Sequence, residues 1–92
     1  MNKAEVVFNK IAQGYNGPGG QVMKKQISKN NGIFTGRTAL KFNTPKGIRY
    51  YAGKGSSKGM QISLSKATIN AQNKFITNPA DSMTTKQFNL FK

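Results

Sequence analysis

The chain has no cysteine, no histidine and only two carboxylates, Glu5 and Asp81, far apart in its 92 residues. Without cysteine there is no disulfide framework, no thiolate nucleophile and no zinc–thiolate site, and nothing ties the chain to an oxidising compartment. Without histidine or an acidic cluster it lacks the ligands of a two-metal nuclease or polymerase. The expectation is therefore a protein that is not an enzyme and needs no metal and no cofactor. Long apolar runs are also missing. No segment approaches the ~20 residues that span a bilayer, and the apolar run in "MNKAEVVFNKIAQG" is too short for a signal peptide. No membrane partner is expected, and the location expected is cytoplasmic, with the nucleus left open.

What is present is positive charge: fifteen Lys and Arg give a net +13. A single-sign field of that size works against folding through self-repulsion, and solubility alone does not require it. A polyanionic partner does, with nucleic acid first among the candidates and an anionic membrane surface or acidic protein behind it. A chain this short forms one small domain, which dimerisation would help to stabilise. Its composition divides it into residues 1–20, ending in a Gly-rich loop, a folded region over 21–78 and a tail over 79–92.

Within residues 1–13, "EVVFNKIA" reads as a strand or a short amphipathic turn, with strand preferred. "GYNGPGG" (14–20) holds four glycines and a proline and reads as a hinge. Its Tyr15 is placed to stack on a base or to pack on the domain. "QVMKKQIS" (21–28) reads as a strand with Val22 on one face and Met23 and Ile27 on the other, followed by the hairpin signal "NNG". In "IFTGRTALKFN" (33–43) Thr38, Leu40 and Phe42 point to the core and Arg37, Ala39 and Lys41 away, with Gly36 as a candidate bulge. "TPKG" (44–47) carries the chemistry of a type I turn with a left-handed Gly. It should pair 37–43 with "IRYYA" (48–52), read with Ile48, Tyr50 and Ala52 inward and Arg49 and Tyr51 outward. "GKGSSKG" (53–59) is the next connection, and "MQISL" (60–64) reads as a fourth strand.

A helix is expected to start at Ser65 as N-cap, with Leu64 and Ile69 as a hydrophobic staple, and to end at Asn78-Pro79. The tail, with Met83, Phe88, Leu90 and Phe91, should form a short helix from Ser82 or dock on a partner. The predicted fold is thus α+β, an antiparallel sheet of about four strands followed by one helix.

The outward side chains of these strands, Lys24, Gln26, Ser28, Arg37, Lys41, Arg49, Tyr51, Gln61 and Ser63, include no acid. Such a surface suits a phosphate backbone with unpaired bases laid across it. The candidate contacts are Lys24, Arg37, Lys41, Arg49, Lys54 and Lys58 for phosphates and Tyr51 for stacking. The helix also offers Lys66, Asn70, Gln72, Asn73 and Lys74 for groove reading, but the apolar sheet face needs it as a lid. "GKGSSKG" fails as a phosphate-cradling loop. The Walker pattern leads from Gly-Lys-[Ser/Thr] into a helix, whereas here a Lys-Gly precedes an expected strand, and no acid stands by to hold magnesium.

The order of basic loop, Lys58-Gly59, a short strand ending Ile62-Ser63-Leu64 and a Ser65-capped helix resembles the transcriptional coactivator family named positive cofactor four. "TGRTAL" (35–40) is similar to a strand motif of the related Whirly proteins. The resemblance implies a curved four-stranded sheet, a homodimer formed through the helices and channels for single-stranded DNA. Small size and an Asn- and Lys-rich composition fit a phage-encoded member acting in the host cytoplasm. The function expected is sequence-independent binding of single-stranded DNA in replication, recombination or transcription. The alternatives are a small protein that inhibits a nucleic-acid enzyme, its Phe-rich tail meeting the partner, and a module that binds RNA or duplex DNA.

Overall fold

The computed structural model describes residues 20–91. The strand reading of 1–13, the hinge at 14–19 and Tyr15 lie outside the described residues. The described chain is α+β. Three strands, β1 (Gln21–Asn30), β2 (Ile33–Thr44) and β3 (Gly47–Ser57), form an antiparallel open sheet in that order, and two helices follow, α1 (Met60–Thr77) and α2 (Thr85–Leu90).

Both hairpins form where the turn residues predict them. Asn31 (φ 53°) and Gly32 (φ 78°) make the two-residue link between β1 and β2, which only residues tolerant of positive φ can close with the right twist. At the second hairpin Gly47 takes φ 108°, and the Thr44 hydroxyl accepts from the Lys46 N–H and donates to the Gly47 carbonyl. The irregularity of the sheet lies in β1 between Val22 and Lys24, not at Gly36. That shift places both Val22 and Ile27 opposite core-facing residues of β2, Leu40 and Gly36.

The expected fourth strand is helix. Met60 to Leu64 are the first residues of α1, so the helix starts five residues before Ser65, and Ser65 sits buried within it. The alternation of Met60, Ile62 and Leu64 misleads, because Met60 and Ile62 are exposed and the sheet-facing positions are Ser63, Leu64, Ala67, Thr68 and Ala71. That set has helical spacing but small side chains. The reason is close approach. A Cβ at Gly53 would overlap the Ala67 carbonyl, and one at Gly55 would lie 2.5 Å from Lys66 Cβ and 2.7 Å from the Ala67 nitrogen. Helix backbone therefore lies almost directly on sheet backbone, which glycine on one side and Ser or Ala on the other permit. The buried hydroxyls of Ser63, Ser65 and Thr68 donate to the carbonyls of Met60, Gln61 and Leu64 of the same helix, so they do not weaken the dry contact.

Towards its C-terminus α1 meets the sheet through aromatic rings instead. Phe75 stacks on Phe42 at 4.1 Å between centroids, and Tyr51 meets both edge-on at 5.6 and 5.5 Å. With Leu40, Ala71 and Val22 these rings form the core. α1 ends at Asn78 before Pro79, as predicted. It covers β2 and β3 and scarcely touches β1.

The chain then turns around the free edge of β3. The Tyr51 hydroxyl donates to the Pro79 carbonyl on the helix side, and the Met83 N–H donates to the Tyr50 carbonyl at the edge. α2 then lies on the far side of the sheet, started by a capping box between Thr84 and Gln87. Further along, the edge carbonyls of Lys54 and Ser56 accept from Asn70 Nδ2 and Lys66 Nζ. The β3 edge is thus closed against a further strand.

Candidate nucleic-acid interface

The sheet face opposite α1 collects four of the seven predicted contact residues. Register puts Arg37 directly between Gln26 and Lys54, Lys41 between Gln21 and Tyr50, and Lys24 beside Ala39. Directly opposed residues of an antiparallel pair lie ~4.5–5.5 Å apart at Cα, so Arg37 and Lys54 are close neighbours of like charge. Arg37 also donates to Gln26 Oε1 at 3.1 Å, and Thr35 and Ser56 share a hydroxyl–hydroxyl bond of 3.0 Å on the same face. Among the described residues the strands of this face carry no carboxylate. Asp81, the only acid among the described residues, lies on the connection to α2, where it reaches Lys74 at 4.0 Å and lines one pocket with Arg37 and Phe91. Among the described residues no cluster of acids, Cys and His could hold a metal ion, and no helix is long and apolar enough to cross a membrane.

The other three predicted residues are elsewhere. Tyr51 is 1% exposed and belongs to the core, so it offers no platform for a base. Arg49 sits opposite Phe42 on the helix side, where its guanidinium donates to the Ile48 carbonyl at 3.0 Å. Both corrections have one cause: β3 is read one residue out of phase, and a one-residue slip sends every side chain to the wrong face. The hairpin itself carries the missing signal. With Thr44 opposite Gly47, an inward Leu40 requires an inward Tyr51, because opposed residues share a face. Lys58 is exposed in the two-residue link from β3 to α1, off the open face. "GKGSSKG" is likewise not a loop: Gly53 to Ser57 end β3, and Lys58-Gly59 lead into a helix, where the sequence reading expects a strand. The Walker order is still absent, since Lys precedes Gly, and Gly53 and Gly55 serve the approach of α1.

The same slip hides Tyr50. Its ring lies on the open face, and Phe88 of α2 stacks on it with centroids 4.0 Å apart and planes 26° from parallel. Lys24 Nζ lies 4.1 Å from the Phe88 centroid and donates to the Phe88 carbonyl at 2.7 Å. The Arg37 guanidinium sits 4.8 Å from the ring of Phe91, which is buried. The tail, expected to form a short helix from Ser82 or to dock on a partner, forms that helix from Thr85 and packs across this chain's own sheet. No protein family, curated protein or solved structure matches the chain. Of the stretches that carry the resemblance, "TGRTAL" lies in β2, whereas Met60 to Leu64 are helix rather than a strand.

Proposed function

We propose that the chain is a single-stranded-DNA-binding protein, not an enzyme, and that it holds the strand across the open face of its sheet largely without sequence preference. The observation that carries this reading is Arg37 directly opposite Lys54, on strands that carry no carboxylate among the described residues. Like charges in register oppose folding, and a polyanion reverses the sign of their contribution. Lys24 and Lys41 extend the cationic track along the same face, and the hydroxyls of Thr35 and Ser56 add neutral donors for phosphate oxygens. An open sheet face with an aromatic ring suits unpaired bases, whose π-faces are free to stack.

The state of α1 favours this over duplex reading. Lys66 and Asn70 are engaged with edge carbonyls of β3, Gln72 is buried and Lys74 pairs with Asp81. That helix has few side chains left to aim at base edges in a groove. A homodimer through α1 is part of the proposal, since Met60, Ile62 and Ile76 are exposed along it.

The test is a titration with single-stranded DNA, duplex DNA and RNA of equal length over a salt series. Single-stranded DNA should bind best, with log affinity falling by roughly 0.7 per neutralised phosphate for each tenfold rise in salt. Arg37→Ala with Lys54→Ala should flatten that slope. Preference for duplex or RNA, or a slope untouched by the double variant, rejects the reading.

A further inference from the structure

The strap formed by residues 79–91 meets the open face through the groups that a nucleotide would use. Phe88 lies on Tyr50 in the offset, near-parallel arrangement of a stacked base, 4.0 Å between centroids. Lys24 places its ammonium over the same ring and bonds a carbonyl oxygen at 2.7 Å, as it would bond a phosphate oxygen beside a stacked base. The Arg37 guanidinium lies over the ring of Phe91. Part of the face, with Lys54, Thr35 and Ser56, makes no bond to the strap among the contacts of the described residues, so an incoming strand has a foothold beside the occupied part.

We propose that Phe88 occupies a nucleobase subsite of which Tyr50 is the platform and Lys24 the cationic flank, and that the strap and a DNA strand compete for it. This deepens, and rests on, the reading of the open face as a DNA surface. The strap is suited to yielding. α2 has six residues, none of them buried, and a helix of that length does not hold its shape in water unaided. What fixes it is the Met83 bond to Tyr50, the Phe88 stack, the Lys24 bond to the Phe88 carbonyl and the seat of Phe91 beside Arg37. The competition requires that exchange of a phenyl ring for a base on Tyr50 be close to balanced. The population of the open subsite then sets the apparent affinity, because binding to a minor state is weakened by the fraction of time that state exists.

The experiment compares the full chain with its Phe88→Ala variant, using two probes of equal length: oligothymidine and an abasic strand that offers phosphates but no bases. Phe88→Ala should bind oligothymidine roughly two- to tenfold more tightly, the factor to which one aromatic pair corresponds. The abasic strand should gain less, since loosening the strap also frees Lys24 for a phosphate but gives that strand no base to stack. Adding Tyr50→Ala should remove the gain. On the unmodified chain, oligothymidine should shift the NMR signals of the Phe88 ring more than the abasic strand does, a readout that does not depend on any variant folding. If both proteins bind oligothymidine equally, or Phe88→Ala binds it more weakly, the competition is refuted while the DNA-binding face stands. If neither probe binds either protein, the DNA-binding face falls and the subsite with it.

Discussion

A single methyl group at Gly53 tests the central packing claim, because two effects of opposite sign compete there. Replacing Gly by Ala in a strand narrows the unfolded ensemble and stabilises by about 0.4–1 kcal/mol wherever the native backbone accepts a Cβ. An exposed connection, as the sequence suggests for 53–59, would show that gain. In the fold, the new Cβ would overlap the Ala67 carbonyl and lie 2.5 Å from the Ala71 nitrogen. Both are helix backbone, so no rotamer change relieves the contact, and α1 must move off by an ångström or more. That motion opens the interface at Ser63, Ala67 and Ala71, each 0% exposed. Overpacking of this kind costs about 1–3 kcal/mol or more, which exceeds the unfolded-state gain. Gly53→Ala should therefore lose about 1–2 kcal/mol net, read as a lower urea midpoint at unchanged slope and as a melting point lower by about 4–8 °C per kcal/mol. Ala67→Gly in the same chain should not restore it, because the obstacle is the Ala67 backbone. A neutral or stabilised Gly53→Ala would refute the close approach of α1 to β3.

Tyr51→Ala should cost about 3–5 kcal/mol in chemical denaturation by emptying the space between Phe42 and Phe75, whereas Tyr50→Ala should cost less than half as much; the reverse order would overturn the phase of β3. Gly59, the N-cap of α1, has a negative φ, lacks a side-chain cap bond and leaves room for a Cβ, its nearest neighbour being 3.6 Å away. Gly59→Ser should therefore raise stability by a few tenths of a kcal/mol, and a loss in urea melts would count against the helix starting at Met60. With a net charge of +13 and one exposed ion pair among the described residues, added sodium chloride should raise the melting temperature by screening repulsion; a fall would mean that attractive pairs dominate.

Where the sequence could be read and where it could not follows from what each signal depends on. The hairpins at Asn31-Gly32 and Pro45-Lys46, the phase of β2 and the stop at Asn78-Pro79 rest on backbone restrictions of Gly, Asn and Pro or on large alternating side chains. These are local, and they read correctly. The start of α1 does not, because its buried face is built mostly from small residues, Ser63, Ala67, Thr68 and Ala71 beside Leu64, and hydropathy counts Ser63 and Thr68 as surface. Met60 and Ile62, which hydropathy counts as core, face solvent. A helix that lies on glycines inverts the usual pattern, and only the partner strand reveals this: Gly53, Gly55 and Gly36 mark the groove before the helix that fills it is known.

The candidate face was legible to the extent that it depended on β1 and β2. Lys24, Gln26, Arg37 and Lys41 are where alternation puts them, and Lys54 joins them once "GKGSS" is taken as strand. Tyr50 and Tyr51 exchanged roles because two adjacent tyrosines give alternation nothing to choose between, and only pairing across the hairpin decides. The correction changes the chemistry as well as the geometry. An aromatic ring that is read as free and outward turns out to be buried, and its neighbour, read as core, lies on the cationic face already stacked by Phe88. On the proposed reading of the face as a DNA surface, a strap that covers Tyr50 makes the affinity of the face a property of the C-terminal residues as much as of the sheet.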